Sequence, residues 1–251
     1  MRLLLDFGNS RLKWAITSSL YSEGSRLSQK GAVSYEDTAI SAWVLALHAV
    51  PIEEVWFASV VAPELEAKVL MQLPALASAP KRFQVTAQAG TLHNLYATPE
   101  TLGVDRWAVA IGAWGLLKQP CLVVSAGTAT TVDLIESSGL GEADYRGGLI
   151  LPGLDLMLES LHQRTARLPA ANGHYCVAPS VANNTDDAMT SGAMDATCGA
   201  IERMARRLGE SAPCLITGGN AGRVQAALGR KAQVVEELVL EGLAIHALNQ
   251  H

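Results

Sequence analysis

Asp6, Gly8, Asn9, Ser10 and Lys13 lie together in the stretch DFGNSRLK, residues 6–13. A simple hairpin does not need Asp6 at its mouth, Ser10 on the turn or Lys13 just beyond. Apolar runs flank the turn on both sides in LLLDFGNSRLKWAI, residues 3–16. Gly-Asn between two such runs reads as a tight hairpin, because both residues accept positive φ at little cost. A plain solvent hairpin with an Asp cap is the other reading of the segment.

The same device recurs. CLVVSAGTATTVDLI, residues 121–135, is again an apolar strand, a turn of Gly with small hydroxyl residues, and a second strand. The separation is close to half the chain, which predicts two similar lobes that each open with a hairpin. Two such turns offer backbone N–H groups and hydroxyls to a polyphosphate without a Walker loop, and no GxxxxGK[ST] is present. A third turn, Thr217-Gly218-Gly219-Asn220, follows another apolar strand and opens a helix, where glycines permit close backbone approach to a polar or anionic ligand.

Elements must carry these turns. Apolar patterning predicts strands at 2–6, 13–18, 55–60, 121–125, 131–136, 145–151 and 214–217. It predicts helices at 35–49, 63–73, 101–118, 154–168, 185–208, 220–228 and 239–249. Alternation of the two types implies an α/β fold. No linker or charge block divides the 251 residues. The softest boundary is Lys118-Gln119-Pro120, giving domains at 1–118 and 119–251.

Composition narrows the class. Hydrophobic residues make up 49% and charged residues 17%, which excludes a mostly disordered chain. A net charge of −5 gives no broad electrostatic footprint for nucleic acid. Cys121, Cys176, Cys198 and Cys214 are scattered without CxxC or metal-ligand spacing, as reduced structural thiols would be. Asp6 interrupts the N-terminal apolar run and no stretch reaches membrane-spanning length. A cytoplasmic protein is the expectation, with no nucleic-acid or membrane partner.

Four segments, in order, resemble the type III pantothenate kinases of the actin–hexokinase superfamily: DFGNSRLK (6–13), GVDR (103–106), GTATTVD (127–133) and GGLILPG (147–153). Thr185 and the TGG at 217–219 fall where that pattern continues. The resemblance implies two actin/ribonuclease H-like lobes with an interlobe ATP cleft. It also implies ATP-dependent phosphorylation of pantothenate, the first step of coenzyme A synthesis.

Residue roles follow from the same resemblance. Asp6 would face the Mg²⁺ of Mg-ATP through water, because that ion keeps much of its hydration shell. Gly8, Asn9, Ser10 and Lys13 would hold the terminal phosphates, with Ser10 keeping the hydroxyl of the family's Thr. Gly127, Thr128 and Thr130 would grip them from the other lobe, and Gly218 and Gly219 would complete the nucleotide site. Asp105 would be the general base and Arg106 a substrate ligand, with Gly103 and Val104 letting pantothenate approach the backbone and Tyr96 lining its pocket. Asp105 read alone is a helix N-cap. Asp133 divides between a metal or water ligand and a surface position on an alternating strand. Gly147, Gly148, Pro152 and Gly153 read as tight packing or as strand-bounding turns.

Thr185 divides between an N-cap hydroxyl and a residue that reaches pantothenate across a homodimer interface, as the family implies. The helix it opens is rich in small residues that permit close helix approach. The family commonly carries Asp where Ser125 stands, and that Asp helps hold an activating K⁺ or NH₄⁺. A neutral hydroxyl there predicts a weaker monovalent cation site. Two other classes stay open: an ATP-binding regulatory or transcription accessory protein of this fold, and a sugar or small-alcohol kinase of the same superfamily.

Overall fold

A computed structural model describes residues 1–17, 27–74, 76, 78–164, 173–209 and 211–250. The first compact unit joins Met1–Lys118 to Glu237–His251, and the second is Gln119–Glu236. Residues 237–251 thus leave the second half, where the sequence placed them, and join the first.

In chain order the first unit has β1 (Arg2–Phe7), β2 (Leu12–Thr17), β3 (Gln29–Val33), α1 (Asp37–Leu47), β4 (Glu54–Ser59), α2 (Pro63–Leu70), β5 (Lys81–Arg82), β6 (Gln88–Ala89), β7 (Leu92–Asn94) and α3 (Val104–Leu117). The second has β8 (Cys121–Ala126), β9 (Ala129–Gly139), β10 (Glu142–Pro152), α4 (Leu154–Arg164), α5 (Thr185–Ala205), β11 (Cys214–Thr217), α6 (Ala221–Ala227) and β12 (Gln233–Val234). The chain ends in α7 (Leu238–Leu248), which belongs to the first unit. The predicted ends of two elements, at Ser18 and at 165–168, lie outside the described residues.

The two sheets repeat one plan. In the first the order is β3-β2-β1-β4-β5, with β1 antiparallel to β2 and parallel to β4. In the second, β10-β9-β8-β11-β12 repeats it, with β8 antiparallel to β9 and parallel to β11. Period-two alternation explains the faces. Leu3, Leu5 and Phe7 of β1 join Ile40, Trp43, Val44 and Leu47 of α1 in one core. The α1 residues recur at i, i+3, i+4 and i+7, so they form one helix face. In the second unit Leu122, Val124 and Ala126 of β8 meet Ala193, Met194, Cys198 and Ile201 of α5.

α3 is buried along most of its length and packs against α7 at glycines. A methyl group on Gly112 would stand 2.5 Å from the Leu238 carbonyl oxygen, and one on Gly242 would collide with the Ala108 carbonyl. This close crossing draws α7 into the first unit. No helix among the described residues is long and apolar enough to cross a membrane.

Candidate active site

In the first unit, Asp6 on β1 and Lys13 on β2 are cross-strand neighbours. Pairing runs out to Phe7 and Leu12, so the turn is the four-residue loop Gly8–Arg11. The positive φ expected at Gly8 and Asn9 is absent, because four residues spread the reversal that a two-residue turn would concentrate. Gly8 N–H donates to the Asp6 carbonyl at 3.1 Å. The Tyr35 hydroxyl donates to the Gly8 carbonyl at 2.7 Å and pins the loop. Asn9 and Ser10 are exposed and free to meet a ligand.

Burial pushes the Asp6 carboxyl up to about 7; Lys13 pulls it down, and the charges of Asp105 and Glu237 push it further up. Burial, and then Asp6, push the Tyr35 phenol up as well. Asp6, Lys13, Asp105 and Glu237 therefore share one electrostatic neighbourhood. Lys13 Nζ stands 3.6 Å from a Glu237 carboxylate oxygen.

Asp105 lies in the first turn of α3, whose N-cap is Gly103, so the capping role that Asp105 suggested by itself is not its position. A methyl group on Gly103 would come within 2.6 Å of Asp105 Oδ1. Glycine there leaves the room that the carboxylate occupies. The next residue, Arg106, is buried, with its guanidinium carbon 5.6 Å from the centre of the Tyr96 ring. Asn94 fixes that tyrosine, accepting from the Tyr96 amide at 3.0 Å and donating to the Thr86 carbonyl at 3.1 Å. A carboxylate and a cation held over an aromatic ring thus sit at adjacent positions of one helix start.

In the second unit, β8 and β9 are joined by Gly127 and Thr128 alone. Gly153 N–H donates to the Thr128 carbonyl at 2.9 Å, and a side chain at Gly153 would strike that turn. Gly218, at φ 100°, packs on Ala126, whose carbonyl accepts from the Asn220 amide at 3.0 Å. Gly219 is open on its side-chain side. The backbone of three turns therefore converges at the end of β8. Thr128 is exposed. Thr130 is not: alternation turns it to the core side of β9, where its hydroxyl is buried without a hydrogen-bond partner. The phosphate grip expected of Thr130 is corrected accordingly.

Asp133 is buried, which removes the surface reading, and accepts from the Tyr145 hydroxyl at 3.0 Å. Gly148 makes room for it, since a methyl group there would come 2.7 Å from Asp133 Oδ1. Ser125 stands in register between Thr217 on β11 and Thr131 on β9, so three hydroxyl residues form one row on one face. Thr185 is the first residue of α5 and exposed. The cap is Asn184, which accepts from the Asp187 amide at 2.9 Å, so Thr185 does not have the capping role.

The type III pantothenate kinase family model matches residues 2–207. The chain is 40% identical to the type III pantothenate kinase of Aromatoleum aromaticum over 249 residues, covering 98% of each chain. It is 37% identical to that of Dechloromonas aromatica, covering 99% of each. The chain belongs to the type III pantothenate kinase family.

Solved structures agree on the architecture. A Campylobacter jejuni protein assigned to the Baf family of transcriptional activators aligns with a TM-score of 0.59 at 18% identity, covering 98% of each chain. The activator of 2-hydroxyisocaproyl-CoA dehydratase from Clostridium difficile, solved with bound ADPNP, aligns at 0.54 and 12% identity, covering 99% of this chain and 93% of that one. These likenesses show that the α/β fold with two mixed sheets is shared with those structures.

Within this type III pantothenate kinase, the first unit brings Asp6, Lys13 and Asp105 into one field and stacks Arg106 on Tyr96. Two contributors escaped the sequence. Tyr35 looks like any half-buried aromatic until its hydroxyl is seen on Gly8. Glu237 lies more than two hundred residues from Lys13, and no local pattern joins them. Among the described residues no cluster of three acidic, His or Cys side chains forms a ready-made metal cage.

Proposed function

We propose that this chain transfers the γ-phosphoryl group of ATP to the terminal hydroxyl of pantothenate, releasing ADP and 4'-phosphopantothenate. Family membership supports the reaction, and the Asp105 carboxylate beside Gly103 is the observation that carries the mechanism. Asp105 accepts the hydroxyl proton as the oxygen attacks the γ-phosphorus and the bond to ADP breaks. Arg106, held over Tyr96, meets the pantothenate carboxylate, while Gly103 and Val104 let the substrate approach the backbone.

On the nucleotide side, Gly8, Asn9, Ser10 and Lys13 of the first unit and Thr128 of the second bind phosphate oxygens. Gly218 and Gly219 leave their turn open to the rest of the nucleotide. Mg²⁺, when bound with ATP, neutralises charge on the phosphates. The half-buried Asp6 carboxylate meets that ion or its water. Ser125, between Thr131 and Thr217, offers a monovalent cation neutral oxygens and no charge. K⁺ or NH₄⁺ is therefore held weakly. A homodimer in a cytoplasmic setting, with Thr185 completing the partner's pantothenate site, belongs to the same proposal.

An ADP-release assay with pantothenate and a panel of sugars, run in potassium, ammonium and sodium salts, tests it. Turnover that depends on pantothenate is expected, with activation by K⁺ or NH₄⁺ that saturates only at high concentration. No pantothenate-dependent turnover in any of the salts would overturn the reading.

A further inference from the structure

Glu237 immediately precedes α7, outside the residues that the family model matches. It occupies an N-cap position without acting as a cap, for its side chain makes no capping hydrogen bond. Its carboxylate is instead 3.6 Å from Lys13 Nζ, with the two side chains 13% and 21% exposed. The oxygen nearest Lys13 is buried and accepts no hydrogen bond. A buried carboxylate oxygen without a donor is costly unless a cation compensates it. Lys13 supplies that charge.

The separation exceeds the 2.7–2.9 Å of a charge-assisted hydrogen bond. The attraction is therefore Coulombic, without a directional bond that locks both groups. The negative field of Glu237 extends to Asp6, and Asp105 adds to it. A polyphosphate reaching Lys13 meets an ammonium group already shared among carboxylates.

We propose that Glu237 is the resting counter-ion of Lys13 and lowers the affinity of the hairpin for nucleotide. The inference rests on the assignment of Lys13 to the phosphates of ATP made above. Lys13 must turn from Glu237, or be shared with it, before it neutralises an incoming phosphate. Glu237 thereby sets how tightly the free enzyme holds ATP, and favours release of a spent nucleotide by recapturing the lysine.

The test reads binding rather than turnover. ATP is titrated calorimetrically into the full-length protein without pantothenate, in the presence and absence of Mg²⁺. Glu237→Gln, nearly isosteric, is expected to tighten ATP binding by about three- to tenfold, the scale of one partly buried ion pair. Glu237→Asp keeps the charge and should remain within about twofold of the unmodified protein. In a Lys13→Met background the gain from Glu237→Gln should shrink, which isolates the pair from general repulsion of phosphate. Circular dichroism and thermal melting confirm that each variant is folded. Unchanged or weaker binding by Glu237→Gln, or an equal gain with Lys13 absent, overturns the inference. A protein that binds ATP but lacks pantothenate-dependent turnover counts against the reaction proposed above and not against this pair.

Discussion

Asp105 owes its place to the residue two positions before it. Because Gly103 has no side chain, the carboxylate lies back over the helix start, where a methyl group would come 2.6 Å from Oδ1. Asp105→Asn keeps the size and removes the base, so kcat should fall by ~10²–10⁴-fold with the melting temperature unchanged. Gly103→Ala should lower kcat as well by displacing an intact base. Steady-state kinetics beside thermal melting check both, and near-normal turnover of Asp105→Asn would contradict the assignment. Asp6 gives the residue-scale pH effect. Its carboxyl is raised from 3.8 to about 7, so the folded chain holds a proton more tightly than the unfolded chain. Stability from this group is full below about 3.8, falls as pH rises to about 7, and is flat above. In metal-free buffer Asp6→Asn, which cannot ionise, should flatten that part of the decline. Parallel melting-temperature curves for the two proteins between pH 4 and 8, about the range of the shift, would show that Asp6 does not titrate in this way.

The α3–α7 crossing decides an element-scale prediction by its sign. Alanine normally stabilises a helix interior relative to glycine by about 1 kcal/mol. At Gly112 the new methyl group would stand 2.5 Å from a backbone oxygen of the other helix, and backbone cannot move aside as a side-chain tip can. Overpacking of this kind costs about 1–3 kcal/mol. Gly112→Ala should therefore lower the melting temperature by several degrees, while Gly222→Ala on α6, which meets nothing, should leave it unchanged or slightly raised. Equal effects of the two substitutions would mean that the crossing has slack. This contrast also explains what the sequence reveals about elements. Seven strands and seven helices follow from runs of apolar residues, whose burial is a local property. β5, β6 and β12 are two-residue strands, and β3 is a largely exposed edge strand, so their existence depends on a neighbour offering hydrogen bonds. The hairpin at Gly8 misled for the same reason: the pairing of Phe7 with Leu12, rather than the preference of Gly-Asn, sets the loop length. Candidate residues within one motif, such as Asp105 and Arg106, can be read together from the sequence; Tyr35 and Glu237 reach the hairpin from other elements and leave no local signal.

At the scale of the molecule, one strand plan occurs twice and each copy ends its central strand in a turn that contains glycine. The repeat was visible as two similar hairpins half a chain apart, whereas the destination of the last helix was not. α7 is apolar nearly all round, so its pattern marks burial without naming a partner. Assembly is the remaining large-scale question. α5 runs for 21 residues and exposes Ala188, Gly192, Ala196 and Gly199 at close to helical spacing, with Thr185 exposed in its first turn. Side chains this small let a second helix approach closely, which suits the proposed homodimer in which Thr185 serves the partner's site. In that arrangement each site needs Asp105 from one protomer and Thr185 from the other. A heterodimer of Thr185→Ala and Asp105→Asn chains then holds one site with both residues intact and one with neither. Equal mixing with free exchange places heterodimers in about half of the population, so about a quarter of the sites should be restored. The chains would carry different affinity tags, and sequential purification would isolate the mixed dimer and verify exchange. Pantothenate-dependent turnover of that dimer should exceed that of either parent homodimer. If verified heterodimers show no more activity than the average of the two parents, Thr185 acts within its own protomer or not at all.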